Sequence, residues 1–388
     1  MRIAIFSWES LYTIQVGGLG VAVTLLAEEL ARQGHQVGYF TRGAPGQPQY
    51  MKINGVDYFT LPVEPVPDSY SFALGMSRHM VDRLHSIEET FGRFEVIHGN
   101  DWLVVDALQE LKAEGRSIVM TYHSTEYGRN GGRMGNWPSF AQISDRERFA
   151  GEIADRVTTV SEYMRGELNW LYGIPREKIA VVPNAIDRER YQLRTDAGSV
   201  KKSLGIHPFA PTILLIGRME YQKGPDLLVE AAPEILSRHP DVVFVYVGRG
   251  QMTDYLQRRA AQLGVLGSFR FLGFLPHWEF LEKLNSCDLV CVPSRNEPFG
   301  MVLLEAWAAG KPVVASSVGG LGENIDHMVN GYKVNPDSGS VARGISHLLE
   351  NPGVMRDIAV GGAGRLADFS WDRSVEMVLE VYRESLGT

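Results

Sequence analysis

Residues 293–316 read PSRNEPFGMVLLEAWAAGKPVVAS: a polar loop, an apolar helical stretch and a short strand in succession. Between Phe299 and Gly310 the only charged residue is Glu305. A charge carried into an apolar helix is costly unless a partner or a ligand takes it up. Glu297 stands just ahead of the helix, on a loop marked by Asn296, Pro298 and Gly300. With the helix starting near Gly300, Glu305 lies about 7 Å along its axis, at roughly 1.5 Å per residue. Two hydrogen-bonding carboxylates then flank a helix N-terminus (residues 299–302) whose free N–H groups attract phosphate. A ligand with hydroxyls at both ends and a diphosphate between them satisfies this pattern, and a sugar nucleotide is one. Taken singly, each Glu is also compatible with a plainer role: Glu305 half-exposed and paired with a Lys or Arg, Glu297 an ordinary loop charge.

Outward from this stretch, short apolar runs alternate with amphipathic segments, the pattern of parallel βαβ units. Strands are predicted at Ile3–Phe6, Val37–Thr41, Val96–His98, Ile118–Thr121, Val157–Val160 and Ile179–Val182. After a polar stretch, Asp187–Ser199, a second series runs through Thr212–Gly217, Val242–Gly248, Phe269–Leu272, Leu289–Val292 and Val313–Ala315. The reading is α/β, with two doubly wound Rossmann-like domains at 1–190 and 200–370 and a hinge near 187–205. The closing helix at 371–386 has no strand after it and is expected to cross back onto the first domain. Open α/β sheets bind ligands at the carboxyl ends of their strands. Two such domains facing each other would set those loops across one interdomain cleft.

The bulk numbers exclude several classes. The chain has 388 residues, room for two domains with real cores. A net charge of −8 argues against a nucleic-acid partner. The two cysteines, Cys287 and Cys291, cannot form a disulfide framework and read as reduced core thiols. The start MRIAIFSWES lacks the apolar region of a signal peptide, and no run reaches the length of a membrane span. These readings predict a cytoplasmic protein with no transmembrane segment; oligomeric state is unreadable.

The conspicuous polar groups fall in loops after predicted strands. The first is followed by Val16-Gly17-Gly18-Leu19-Gly20, where glycines allow close backbone approach to an anion ahead of a helix. This is neither the spaced G-x-G-x-x-G of nicotinamide enzymes nor the G-x-x-x-x-G-K-[ST] phosphate loop. In the second domain, Arg218 and Lys223 leave a strand end together, one a fork for phosphate oxygens and the other a mobile point charge. No two aspartates stand two residues apart, so the D-x-D element that chelates a metal–diphosphate complex is missing. A leaving diphosphate would be neutralised by Arg218, Lys223 and backbone N–H groups, with no metal required. In the first domain, Asp101 and His123 stand at strand ends and suit hydroxyl binding or acid–base work. Asp101 could equally cap the following helix, and His123 could satisfy a buried carbonyl.

Taken together, GGLG (17–20), HGNDW (98–102), YHSTE (122–126), VVPNAID (181–187), GRMEYQKG (217–224) and the spaced pair Glu297/Glu305 resemble the retaining glycosyltransferases of family 4. The resemblance spans almost the whole chain in order and is closest to the glycogen and starch synthase-like branch. It implies the GT-B fold of two facing Rossmann-like domains, and hexosyl transfer with retention from a UDP-, ADP- or GDP-hexose, with glucose expected. It implies no further cofactor. By the resemblance, Arg218 and Lys223 hold the donor diphosphate, Glu297 sits by the hexose and Glu305 binds the ribose. Gly17 and Gly18 approach the phosphates, and the N–H groups of Phe299, Gly300, Met301 and Val302 bind sugar and phosphate oxygens. His123 contacts the sugar near the reacting carbon, and Asp101 orients donor or acceptor. Bacterial glycogen synthases usually lack the second Glu, which this chain has, and Gly322 stands where many relatives have Pro. The acceptor is a carbohydrate: an α-1,4-glucan being elongated, or a small sugar, sugar phosphate or lipid-linked sugar. A non-catalytic sugar-nucleotide or glycan-binding protein is the reading from a different class. The acceptor segment 124–145 carries no decodable feature.

Overall fold

The computed structural model describes residues 1–14, 17–62, 66 and 68–387; Val16, which opens the glycine stretch, lies outside them. Contacts divide the chain into two compact units. The first comprises Met1–Tyr127, Met134–Ala185 and Trp371–Thr388, and the second Gly128–Arg133 and Ile186–Ser370.

The strands of the first unit are β1 (Arg2–Phe6), β2 (Gln36–Arg42), β3 (Tyr50–Ile53), β4 (Val56–Leu61), β5 (Val96–Asn100), β6 (Ser117–Tyr122), β7 (Arg156–Thr159) and β8 (Ile179–Val181). They form one sheet in the order β3-β4-β2-β1-β5-β6-β7-β8. Every pairing is parallel except β3 with β4. Its central strands are buried on both faces, which is why they read as continuous apolar runs without alternation. β3 and β4 are absent from the sequence reading, because the polar Asp57 and Thr60 interrupt the apolar run of β4. The connecting pair, Asn54 and Gly55, has φ of 49° and 85°. Two positive φ values in a two-residue turn are what an Asn-Gly hairpin supplies.

The second unit holds β9 (Thr212–Ile216), β10 (Val243–Val247), β11 (Phe269–Gly273), β12 (Leu289–Val292), β13 (Val313–Ser316) and β14 (Tyr332–Val334). These form an all-parallel sheet in the order β11-β10-β9-β12-β13-β14. The edge strand β14 is too short to show a period and escapes the sequence reading. In each sheet the order reverses beside the first strand, between β1 and β5 and between β9 and β12. Such switch points open a crevice at the carboxyl ends of the strands, where α/β proteins bind ligands.

The helix Trp371–Leu386 packs within the first unit. Val375, Val378, Leu379 and Tyr382 recur at helical spacing and join the core of Ile3, Ile5, Val96 and Val119. The Tyr382 hydroxyl lies 2.7 Å from Nδ1 of the buried His98, whose Nε2 is 2.6 Å from Thr121 Oγ1. Burial lowers the His98 pKa to about 3, so the ring is neutral. His98 therefore anchors the closing helix. Cys287 and Cys291 are free and buried in the second unit, and burial pushes the Cys287 thiol up to about 12.

Candidate functional site

In the second unit the helix Met301–Ala308 starts behind Gly300, whose φ is 100°. A Cβ at Gly300 would lie 2.7 Å from the Leu321 side chain, so the tight entry to the helix requires glycine. Leu303, Leu304, Ala306, Trp307 and Ala308 are all buried, leaving Glu305 as the one charge of an otherwise apolar helix. Glu305 is partly buried, and loss of hydration pushes its carboxyl up to about 7. Its Oε1 is 3.4 Å from the Tyr191 hydroxyl, a long hydrogen bond that relieves the burial only slightly.

Glu297 is buried, and both of its oxygens lie 2.8 Å from Lys223 Nζ. Ser294 Oγ donates to the same carboxylate at 3.0 Å, and the Glu297 carbonyl accepts from Gly320 N–H at 2.9 Å. The loops after β9 and β12 are stitched together by the buried Gln222. Its carbonyl accepts from Arg295 N–H at 2.8 Å and Asn296 N–H at 3.4 Å, while its Oε1 accepts from Arg218 Nη2 at 3.1 Å. Gly224 permits the close approach: its φ is 63°, and a Cβ there would lie 2.1 Å from the Pro293 carbonyl oxygen. A bidentate Arg295–Asp226 pair, at 2.8 and 2.6 Å, locks the same junction. The second unit thus gathers Arg218, Lys223, Glu297, Glu305 and the 299–302 backbone at one end of its sheet. Gln222 and Asp226 were not singled out by sequence reasoning. Gln222 lies inside the GRMEYQKG stretch, but its role depends on the loop of Arg295 and Asn296, far along the chain, so no local signal marks it.

In the first unit Asp101 follows β5 and His123 follows β6, adjacent parallel strands. Asp101 has φ 57° and ψ 173°, a backbone conformation rare outside glycine and typical of functional sites under strain. Its Oδ1 accepts from His123 N–H at 2.8 Å. Asn100 donates to the Phe6 carbonyl at 3.2 Å, so its Oδ1 is the acceptor facing His123 Nε2 at 3.0 Å. His123 therefore carries its proton on Nε2, leaving Nδ1 to accept from a hydroxyl. Burial lowers the His123 pKa to about 4 and keeps the ring neutral.

The glycine stretch holds a carboxylate that sequence reasoning did not anticipate. The buried Glu9 accepts from Gly17 N–H at 3.0 Å and from Gly20 N–H at 3.1 Å, at the start of the helix Gly18–Arg32. An anion approaching Gly17 and Gly18 meets a helix end already serving an internal carboxylate. Among the described residues, no group of three or more His, Cys, Asp or Glu is arranged to hold a metal ion, and no helix is long and apolar enough to cross a membrane.

Each unit thus carries a largely parallel sheet, and in the second a cation pair and two carboxylates stand beside a helix N-terminus at the carboxyl end of the strands, the setting of a glycosyltransferase. Residues 16–190 match glycosyltransferase family 4, and residues 198–363 match the glycosyl transferases group 1. The chain is 36% identical to an uncharacterised glycosyltransferase of Methanocaldococcus jannaschii, over 99% of this chain and 98% of the relative. It is 31% identical to a glycogen synthase of Mycobacterium tuberculosis, over 98% of this chain and 94% of the relative. The structure of a sucrose-phosphate synthase from Thermosynechococcus elongatus superposes with a TM-score of 0.83 at 24% identity, covering 99% of this chain and 98% of that one. The chain belongs to the family 4 glycosyltransferases, with the GT-B fold and a likeness to glycogen synthases.

Proposed function

We propose that the protein transfers a hexosyl group, with retention and without a held metal ion, from a nucleotide diphosphate hexose to a carbohydrate hydroxyl. The observation that carries this reading is the Lys223–Glu297 contact beside the helix that bears Glu305. Glu305 receives the ribose hydroxyls, which relieve its unfavourable burial. The 299–302 N–H groups, Arg218 and Lys223 take the diphosphate, and Glu297 binds the hexose. As the bond from the anomeric carbon to the diphosphate oxygen breaks, these cations and N–H groups absorb the developing charge. The acceptor hydroxyl forms its new bond on the same face, and its proton passes to the departing phosphate oxygen. His123 accepts a hydrogen bond from a sugar hydroxyl through Nδ1, held in register by Asn100 and Asp101.

Glucose is the hexose this reading favours, and the likeness to a glycogen synthase supports elongation of an α-1,4-glucan in the cytoplasm. The test is transfer in EDTA with UDP-, ADP- and GDP-glucose, offering maltooligosaccharides as acceptor. Chain extension with an α linkage supports the whole reading. Donor hydrolysis without extension retains the transferase and removes the glucan. Nucleotide binding with neither hydrolysis nor transfer to any sugar favours a non-catalytic binding protein. Activity that is abolished by EDTA and restored by a divalent cation removes metal independence.

A further inference from the structure

The loop 217–224 carries Arg218 and Lys223 between two glycines of positive φ, 142° at Gly217 and 63° at Gly224. A loop with glycine at both ends must be held from its sides if two long cationic side chains are to meet one ligand in register. On one side Met219 is sunk in the core of the second unit. On the other, Tyr221 is half-buried and two guanidinium groups lie against its ring, Arg295 at 4.0 Å from the ring centre and Arg133 at 4.9 Å. Arg295 also donates to the Tyr221 carbonyl at 3.0 Å. Arg133 comes from the stretch Gly128–Arg133, which belongs to the second unit although the chain before and after it belongs to the first. Gly131 N–H donates to the Gly128 carbonyl at 2.9 Å, and Asn130 Nδ2 to the Arg133 carbonyl at 2.8 Å, which folds the stretch into a turn. Gly131 has φ 70°, and a Cβ there would lie 2.9 Å from the Tyr221 ring, so the turn rests on the ring by its glycine.

We propose that Tyr221 is a positioning residue for the donor: the turn 128–133, packed on its ring, fixes the loop from which Arg218 and Lys223 reach the diphosphate. The inference rests on the transferase reading of those two cations and adds a residue that acts through them. The constraint passes along the chain in both directions. Gln222, next to Tyr221, accepts from Arg218 Nη2 through its side chain and from Arg295 N–H through its carbonyl. Lys223, one residue further, meets Glu297. Removing the ring takes away the seat of the turn and the stacking of Arg295, while the hydrogen bond from Arg295 to the Tyr221 carbonyl is a backbone contact and survives. Glu305, which takes the ribose in this reading, stands on a separate helix, Met301–Ala308. The loss therefore falls on the diphosphate and spares the nucleoside.

The test is calorimetric titration with UDP, ADP and GDP, the tightest of which is then compared with its own nucleoside, measured by displacement. The ratio of the two affinities reads the diphosphate contact alone. Tyr221→Leu, which keeps bulk without a π face, is expected to lower that ratio roughly tenfold, the scale of one or two cation–π contacts. Tyr221→Phe keeps the ring and should hold the ratio within about twofold of the parent. Gly131→Ala and Arg133→Met disturb the turn from the other side and should lower the ratio about threefold, again with nucleoside affinity unchanged. A melting transition shows that each variant is folded. An unchanged ratio in Tyr221→Leu, a loss in Tyr221→Phe as large as in Tyr221→Leu, or nucleoside affinity falling in step with that of the nucleotide would overturn the proposal. A ratio that depends on the ring, in a protein with no turnover on any donor, would leave this inference standing and count against the transferase reading. Transfer activity with a ratio indifferent to the ring would do the reverse, so the two fail separately.

Discussion

Lys223 Nζ stands 2.8 Å from each carboxylate oxygen of Glu297, so the ammonium bridges a residue that side-chain packing has taken almost wholly out of water. The lysine side chain is itself only 23% exposed. Each charge therefore depends on the other while the donor is absent. Under the proposed function, an entering diphosphate gives the ammonium a second anion to serve, and the pair becomes a three-body arrangement of Glu297, Lys223 and phosphate.

Lys223→Ala is accordingly expected to lower kcat by at least about 10²-fold, the scale of removing one preorganised donor from a transition state. It should also lower stability by about 1–3 kcal/mol, because Glu297 is left buried without its cation. Glu297→Ala should lose comparable activity. A double-mutant cycle read by urea unfolding should show the double variant losing less than the sum of the singles. Additive losses would mean that the two charges do not interact.

Glu305 gives a pH prediction with a definite sign. Its carboxyl is pushed from the ordinary 4.5 to about 7, and under the proposed function ribose hydroxyls donate to its ionised form. Affinity for UDP-glucose, whose phosphates do not titrate in this range, should be constant above about pH 8. Below about pH 7 it should weaken by up to tenfold per unit as the carboxyl takes up its proton. Stability without ligand runs the other way. A raised carboxyl favours the protonated folded form, so the favourable contribution is present below pH 4.5 and lost as pH rises through about 7. Glu305→Gln should flatten both profiles, measured by calorimetry and by chemical unfolding.

The contact between His98 and Tyr382 concerns stability. Tyr382→Phe removes the hydroxyl and leaves a buried imidazole nitrogen unsatisfied, at a cost of about 1–3 kcal/mol. The melting temperature should fall, and limited proteolysis should release the closing helix earlier than in the parent chain. An unchanged melting temperature would mean that the helix is held by its apolar face alone.

What could be read from the sequence was whatever depends on residues close together in the chain. Glu297 and Glu305 share one loop and helix, and their pairing with a helix N-terminus follows from spacing alone. The Lys223–Glu297 contact joins residues 74 apart and exists because β9 and β12 are neighbours in the sheet, an order no local pattern encodes. The last helix was expected to cross back onto the first domain, but the contact that holds it, Tyr382 on His98, joins residues 284 apart and no local pattern encodes it. The hairpin of β3 and β4 was not read: its Asn-Gly turn is a hairpin signal, but the polar residues of β4 broke the apolar run around it. Glu9 left no signal, because its role depends on the Gly17 and Gly20 N–H groups that reach it.

His123 supplies the last prediction. Burial holds its pKa near 4, and Asn100 fixes the proton on Nε2, so the ring is a neutral acceptor through Nδ1 from about pH 5 upward. A histidine acting as general base would contribute a rising limb near its own pKa to the rate profile. Here the single limb in kcat/KM between about pH 5 and 9 should come from Glu305 and should disappear in Glu305→Gln. His123→Ala should lower kcat by about 10²-fold without moving that limb, since only a positioned hydrogen bond is lost. The lowered pKa also makes His123 a liability in acid. The unfolded ring binds a proton from its ordinary 6.5 downward and the folded one does not, so stability falls as pH drops from 6.5 toward 4. His123→Gln should weaken that dependence in urea titrations at about pH 4.5 and 7. A His123→Gln variant with the same acid sensitivity as the parent, or a rate limb that moves with His123, would show that the ring is charged in the working enzyme.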